Sequence, residues 1–146
     1  MLIINADDYG MEDGVNQAVV RCFREGACTS TTIMANMPGF DQACDLAFEN
    51  GFQRHVGMHL VLNEGFPLTS EIRNERMFCT EEGGFCLSRE SPIVLLNARQ
   101  KAALAVEIRG QIRRCRQRGF SISHVDSHHH AHTEWGIAGV LFPIVR

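Results

Sequence analysis

Apolar positions along this chain alternate between two spacings. Leu2, Ile3 and Ile4 form a short unbroken run, which predicts a buried strand over 2–5. Val15, Ala18, Val19, Cys22 and Phe23 then recur at steps of three and four, predicting a helix over 13–26 that stops at Gly26. The β-branched segment "STTIMA" predicts a second strand over 30–35. Phe40, Ala43, Cys44, Ala47 and Phe48 share a face of a second helix over about 40–49, and "HVGMHLVL" predicts a third strand over 55–62.

The pattern fails between Asn63 and Pro92, where glycine, proline and scattered charge predict a long loop. A loop of that length inside a compact domain is uncommon and often functional. Helical spacing resumes with Ala105, Ile108, Ile112 and Cys115, which predicts a helix over about 97–118 closed by Gly119. "FSISHVDS" predicts a fourth strand, and "GIAGVLFPIVR" the opening of a further helix. The alternation of strand and helix predicts an α/β fold with a parallel sheet and right-handed crossovers.

In parallel α/β folds, chemistry collects where the strands end at their carboxyl side. Three polar clusters fall near such ends. "NADDYG" presents Asn5, Asp7 and Asp8; His59 sits late in the third strand; and "HVDSHHHAHTEW" leaves the fourth. Each has an ordinary reading alone: turn chemistry for the aspartates, a hydrogen-bonded core residue for His59, a solvated run for the histidines. Their convergence on one face argues for a metal site. His124, Asp126, His128, His130 and His132 share one parity of an extended chain and His129 has the other. His128, just past the strand end, is best placed to ligate. A carboxylate with two imidazoles suits zinc and other divalent first-row ions, and it leaves the second aspartate free as a general base.

Composition narrows the rest. The net charge is −3, and the one basic stretch, "IRRCRQR", is poor equipment for binding nucleic acid. No apolar run approaches the ~20 residues of a membrane span, and the start has no basic n-region or long apolar h-region. A soluble, cytoplasmic protein without a nucleic-acid or membrane partner is expected. Six cysteines are present without a C-x-x-C pair. Cys22, Cys44 and Cys115 fall on helical apolar faces as core filler, while Cys79 and Cys86 lie in the loop.

With these residues in hand, the sequence resembles the YdjC-like carbohydrate deacetylases of the ChbG type. The resemblance rests on "NADDYG", "TSTTIMAN", "VGMHLVLNEGFPLT" and "SHVDSHHHAH", in that order from the first residues to the last. It implies a (β/α) barrel like that of other polysaccharide deacetylases. It also implies metal-dependent removal of an N-acetyl group from a small amino sugar such as diacetylchitobiose, releasing acetate. By position, Asp8, His59 and His128 resemble the metal ligands, Asp7 resembles the general base, and the ion is magnesium or zinc. Asp126, His130 and His132 are expected to orient ligands or face substrate, with His132 a candidate general acid. Tyr9, Asn63 and Phe66 are candidate sugar contacts.

A full barrel of this kind takes ~250 residues. The 146-residue chain is therefore expected to be one domain, 1–146, forming about the amino-terminal half of a barrel. Its open strand edges and apolar faces predict self-association, with a homodimer as the simplest form. Three alternatives stay open: a metal-dependent hydrolase of another amide or ester, a non-catalytic metal-binding fragment, and a pH switch built on the histidines.

Overall fold

The computed structural model describes residues 2–87 and 93–146; the end of the expected loop, 88–92 with Pro92, lies outside the described residues. Four strands, β1 (Asn5–Tyr9), β2 (Ser30–Ile33), β3 (Val56–Leu60) and β4 (Val125–Ser127), pair in parallel and lie side by side in chain order. Helices α1 (Asp13–Arg24), α2 (Phe40–Glu49), α3 (Ser70–Arg73), α4 (Ala98–Gln117) and α5 (Trp135–Val145) complete the fold. Sequential order with right-handed crossovers places the connecting helices on one face of the sheet. The sheet is open: the described residues form four strands and not a closed barrel.

Strand parity divides the side chains sharply. Ala6, Tyr9, Ile33, Val56, Met58 and Leu60 belong to one continuous apolar cluster with the helices. Ser30, Thr32, Gly57, His59, His124 and Asp126 take the other face. That second face is polar, and it is where the site lies. Gly57 is required there: a Cβ would meet the His124 ring at 2.5 Å.

The first strand differs from expectation. The apolar run Leu2–Ile4 is exposed at 75, 67 and 44 %, and the strand is carried by "NADDY" instead. Pairing with β2, and the cover that the helices give Ala6 and Tyr9, outweigh local hydrophobicity. The pairing register shifts between Ala6 and Tyr9, and Asp8 takes up the irregularity at φ 63°. Asn16 locks the turn that follows: its Oδ1 accepts from Gly10 N at 2.7 Å and its Nδ2 donates to Gly39 O at 2.9 Å.

The helices follow their apolar periods with small corrections. Ala18 on α1 is exposed, Phe48 on α2 is 45 % exposed, and Ala105 on α4 is half-buried. Cys44 and Cys115 are fully buried, whereas Cys22 is only half-buried. Asn97 caps α4 in a reciprocal box with Gln100.

The long loop is more ordered than its composition predicts. It contains α3, an antiparallel bridge between Cys79 and Phe85, and the buried side chains Ile72 and Phe78. Two polar residues of α4 hold it. Glu107, fully buried, accepts from Leu68 N (3.0 Å), Thr69 N (2.9 Å) and Thr69 Oγ1 (2.7 Å). Gln111, one turn on, bonds Val61 N and O at 3.1 and 2.8 Å. These bonds fix the chain that leaves β3 toward the site.

Candidate metal centre

The carboxyl ends of β1, β3 and β4 bring three side chains to one point. Asp8 Oδ1 lies 3.1 Å from His59 Nε2 and 2.8 Å from His128 Nδ1. Both imidazoles are buried, while Asp8 is partly exposed. Asp7 lies on the same face but outside that trio: its Oδ1 accepts from Asn5 Nδ2 at 2.7 Å, and it groups with His59 and Asp126.

Each ring also meets a second carboxylate. His59 Nδ1 lies 2.5 Å from Asp126 Oδ1, and His128 Nε2 lies 2.9 Å from Glu64 Oε2. A neutral imidazole carries one N–H and can donate to only one of two carboxylates. On each ring the other nitrogen then turns its lone pair toward a carboxylate oxygen, a repulsive contact that a cation lying between them relieves. A divalent ion satisfies both contacts at once. Ligand atoms at ~2.0–2.2 Å from such an ion lie roughly 2.8–3.1 Å apart in octahedral and roughly 3.3–3.6 Å apart in tetrahedral geometry, and the 3.1 and 2.8 Å spacings around Asp8 Oδ1 are close to the former. Asp8, His59 and His128 thus fit a divalent ion, with open positions left over.

The surrounding shell is polar and connected. Asp126 Oδ2 accepts from Thr32 Oγ1 at 2.9 Å and from Asn5 Nδ2 at 3.4 Å, so the carboxylate that orients His59 is itself held. Among the described residues, three non-glycine residues have left-handed backbone: Asp8 (φ 63°), His129 (φ 53°) and His130 (φ 57°). All three belong to the Asp8–His59–His128 group or lie within two residues of it, the placement expected of strain maintained for function.

Of the remaining expected residues, some are brought to the site and some are not. Asn63 Nδ2 lies 3.0 Å from His129 Nδ1 at the rim, and its buried Oδ1 has no hydrogen-bond partner among the described residues. The alternation expected along the histidine run ends at Ser127, because residues 128–133 turn into a 3-10 segment. His129 therefore stacks beside His128, with ring centroids 3.8 Å apart. His130 is exposed and not on the ligand group. His132 Nδ1 bonds Ser127 Oγ at 2.6 Å, on the face of β4 opposite Asp126, so it is poorly placed as a general acid.

Tyr9 is a clear correction. It is fully buried, and its hydroxyl donates to Ala43 O at 2.6 Å. Burial pushes its phenol well above the usual range. It is a core residue and cannot stack on a sugar.

Sequence reasoning missed Glu64 and Thr32. Thr32 lay within the quoted "TSTTIMAN", and Glu64 within "VLNEG", but only the fold shows whom each touches. A cavity of about 650 Å³ opens on the same polar sheet face, lined by Leu2, Ile3, Asn5, His124 and Asp126 among others. It lies toward the amino ends of the strands and does not include the ligand group.

The model of a family described as YdjC-like protein matches residues 1–146. A carbohydrate deacetylase of Brevibacillus brevis is 37% identical over 145 residues, covering 99% of this chain and 55% of that protein. One of Thermoanaerobacter pseudethanolicus is 38% identical over 133 residues, covering 89% and 50%. The crystal structure of a candidate cellobiose-phosphate cleavage protein of Enterococcus faecalis V583 superposes with a TM-score of 0.82 at 28% identity, covering 99% of this chain and 54% of that one. The chain spans about half the length of the curated relatives it matches.

Proposed function

The chain belongs to the YdjC-like protein family, and on that premise we propose that it carries the metal-binding centre of a carbohydrate deacetylase. The reaction is hydrolysis of an N-acetyl group on a small amino sugar, such as a chito-oligosaccharide, releasing acetate. One observation carries the reading: Asp8 Oδ1 faces both His59 Nε2 and His128 Nδ1, while each ring has a second carboxylate behind it.

Asp8, His59 and His128 hold the ion, magnesium or zinc; the two imidazoles favour a zinc-type ion. When bound, such an ion supplies Lewis-acid polarisation of the acetyl carbonyl and acidifies water. Asp7 does the proton chemistry. It is exposed on the site face beside His59 and Asp126, and Asn5 fixes its carboxylate from behind. It takes the proton of the attacking water as the carbonyl carbon becomes tetrahedral. The C–N bond then breaks as the leaving nitrogen takes up the proton held by Asp7, so that acetate and a free amine are released. Asn63, at the rim beside His129, and the exposed Phe66 are the sugar-side contacts.

Acetate release from diacetylchitobiose with added divalent metal tests the reading. Asp7→Asn is expected to abolish release while metal remains bound; wild-type turnover in that variant overturns the base assignment. Loss of metal in His59→Ala or His128→Ala checks the ligands separately. A second reading is supported by the open four-stranded sheet that the described residues form. In that reading the chain binds the ion and acts as an assembly partner without turnover. Metal binding without acetate release from any N-acetylated sugar would favour it. Turnover of a non-sugar amide or ester alone would instead indicate a related hydrolase.

A further inference from the structure

We infer that Glu64 is a positioning residue that selects which nitrogen of His128 is offered to the metal. The proposal rests on the reading of Asp8, His59 and His128 as ligands and assigns a task to a fourth residue.

Glu64 Oε2 lies 2.9 Å from His128 Nε2, on the side of the ring away from Asp8. A carboxylate can only accept, so Glu64 draws the imidazole proton to Nε2 in competition with Asp8, which faces Nδ1. That leaves Nδ1 with a free lone pair, and Nδ1 is the atom 2.8 Å from Asp8 Oδ1. In the other tautomer, the Nδ1 proton would occupy the place of the ion. Asp126 does the same for His59 with the nitrogens exchanged: it takes Nδ1 and leaves Nε2 for Asp8. The two ligand rings are therefore presented through different nitrogens, each selected by a carboxylate behind it.

The chain around Glu64 is built to hold it there. Asn36 Nδ2 donates to Glu64 O at 3.1 Å and to Phe66 O at 3.2 Å, and Phe85 N donates to Gly65 O at 2.9 Å. Gly65 has φ +68°, and a Cβ there would meet Met37 Sδ at 3.0 Å. The turn therefore requires glycine directly after Glu64. The Glu64 side chain is 45 % exposed, so replacing it removes little packing.

The test is metal affinity and tautomer in Glu64→Ala and Glu64→Gln. Cobalt(II) and zinc(II) affinity is measured by calorimetry on the full chain. The His128 tautomer is read by 15N NMR of the metal-free protein at a fixed alkaline pH. Glu64→Ala is expected to weaken metal binding about 10- to 100-fold and to shift the His128 proton off Nε2. Glu64→Gln, whose amide oxygen still accepts, is expected to recover part of both. A merely structural role would leave the tautomer unchanged. A wild-type tautomer in Glu64→Ala, whatever the affinity, or a wild-type affinity overturns the proposal alone. Failure of the wild-type chain to bind either ion overturns the underlying metal-site reading, and the proposal with it.

Discussion

Asp126 stands behind His59. Its Oδ1 lies 2.5 Å from Nδ1, and its Oδ2 is anchored by the Thr32 hydroxyl at 2.9 Å. The ring is 3 % exposed, so water cannot readily replace that partner. Asp126→Ala is expected to lower divalent-metal affinity about 10- to 100-fold, with Asp126→Asn intermediate. Calorimetric titration with zinc(II) checks this; unchanged affinity in the alanine variant would remove the orienting role.

A different carboxylate holds the architecture. Glu107 is fully buried and accepts two backbone N–H groups and a hydroxyl from 68–69. Glu107→Ala leaves those donors buried without an acceptor, and is expected to cost about 3 kcal/mol. Urea unfolding measures it. A loss below about 0.5 kcal/mol, the scale of an ordinary surface substitution, would mean the loop finds other partners.

The helices were legible in the sequence and the site was half legible, for separable reasons. Helix periods are local, so the starts of α2 and α4 follow from Phe40 and Asn97. The first strand was misplaced because its polar residues face the site while the exposed run Leu2–Ile4 has the more strand-like composition. Asp8, His59 and His128 could be nominated from residue type and strand ends. Glu64 could not, because its partner is 64 positions away and nothing local distinguishes it from other loop acids. Tyr9 was misassigned because adjacency to Asp8 in sequence says nothing of side-chain direction once the register shifts.

The thiols give a pH-dependent signature. Burial pushes the Cys115 thiol up to about 12 and those of Cys44 and Cys79 up to about 11, from 9.0. Their folded values exceed the unfolded one, so the neutral thiols contribute fully below about pH 9. That contribution falls as pH rises from about 9 toward 12, because the unfolded chain releases its protons first. The urea midpoint is expected to drop across that window. In the native state at neutral pH, exposed Cys86 should react with a thiol reagent while Cys44 and Cys115 react only on unfolding. Rapid native labelling of Cys115 would contradict this.

We also propose that the chain self-associates, most simply as a homodimer. Leu2 and Ile3 are 75 and 67 % exposed beside β1, and Trp135 is 80 % exposed. The outer edges of β1 and β4 have no partner strand among the described residues. Sedimentation at micromolar concentration is expected to show a species larger than 16.3 kDa. Leu2→Lys with Ile3→Lys should shift it toward monomer, and a well-behaved wild-type monomer would end the idea.

One contact described above ties these matters together. Asp8 lies in β1 and His128 directly after β4, the two outermost strands, yet their side chains lie 2.8 Å apart. In a flat sheet those strands would stand ~14 Å apart, three strand spacings. The site therefore exists only because the sheet curls, and the ion would act as a clasp between its two rims, joining residues 120 positions apart. Anything that flattens the curl, such as a foreign strand added at either rim, would pull the donor atoms apart. Metal affinity and assembly state should then vary together, so that affinity measured at one protein concentration need not hold at another.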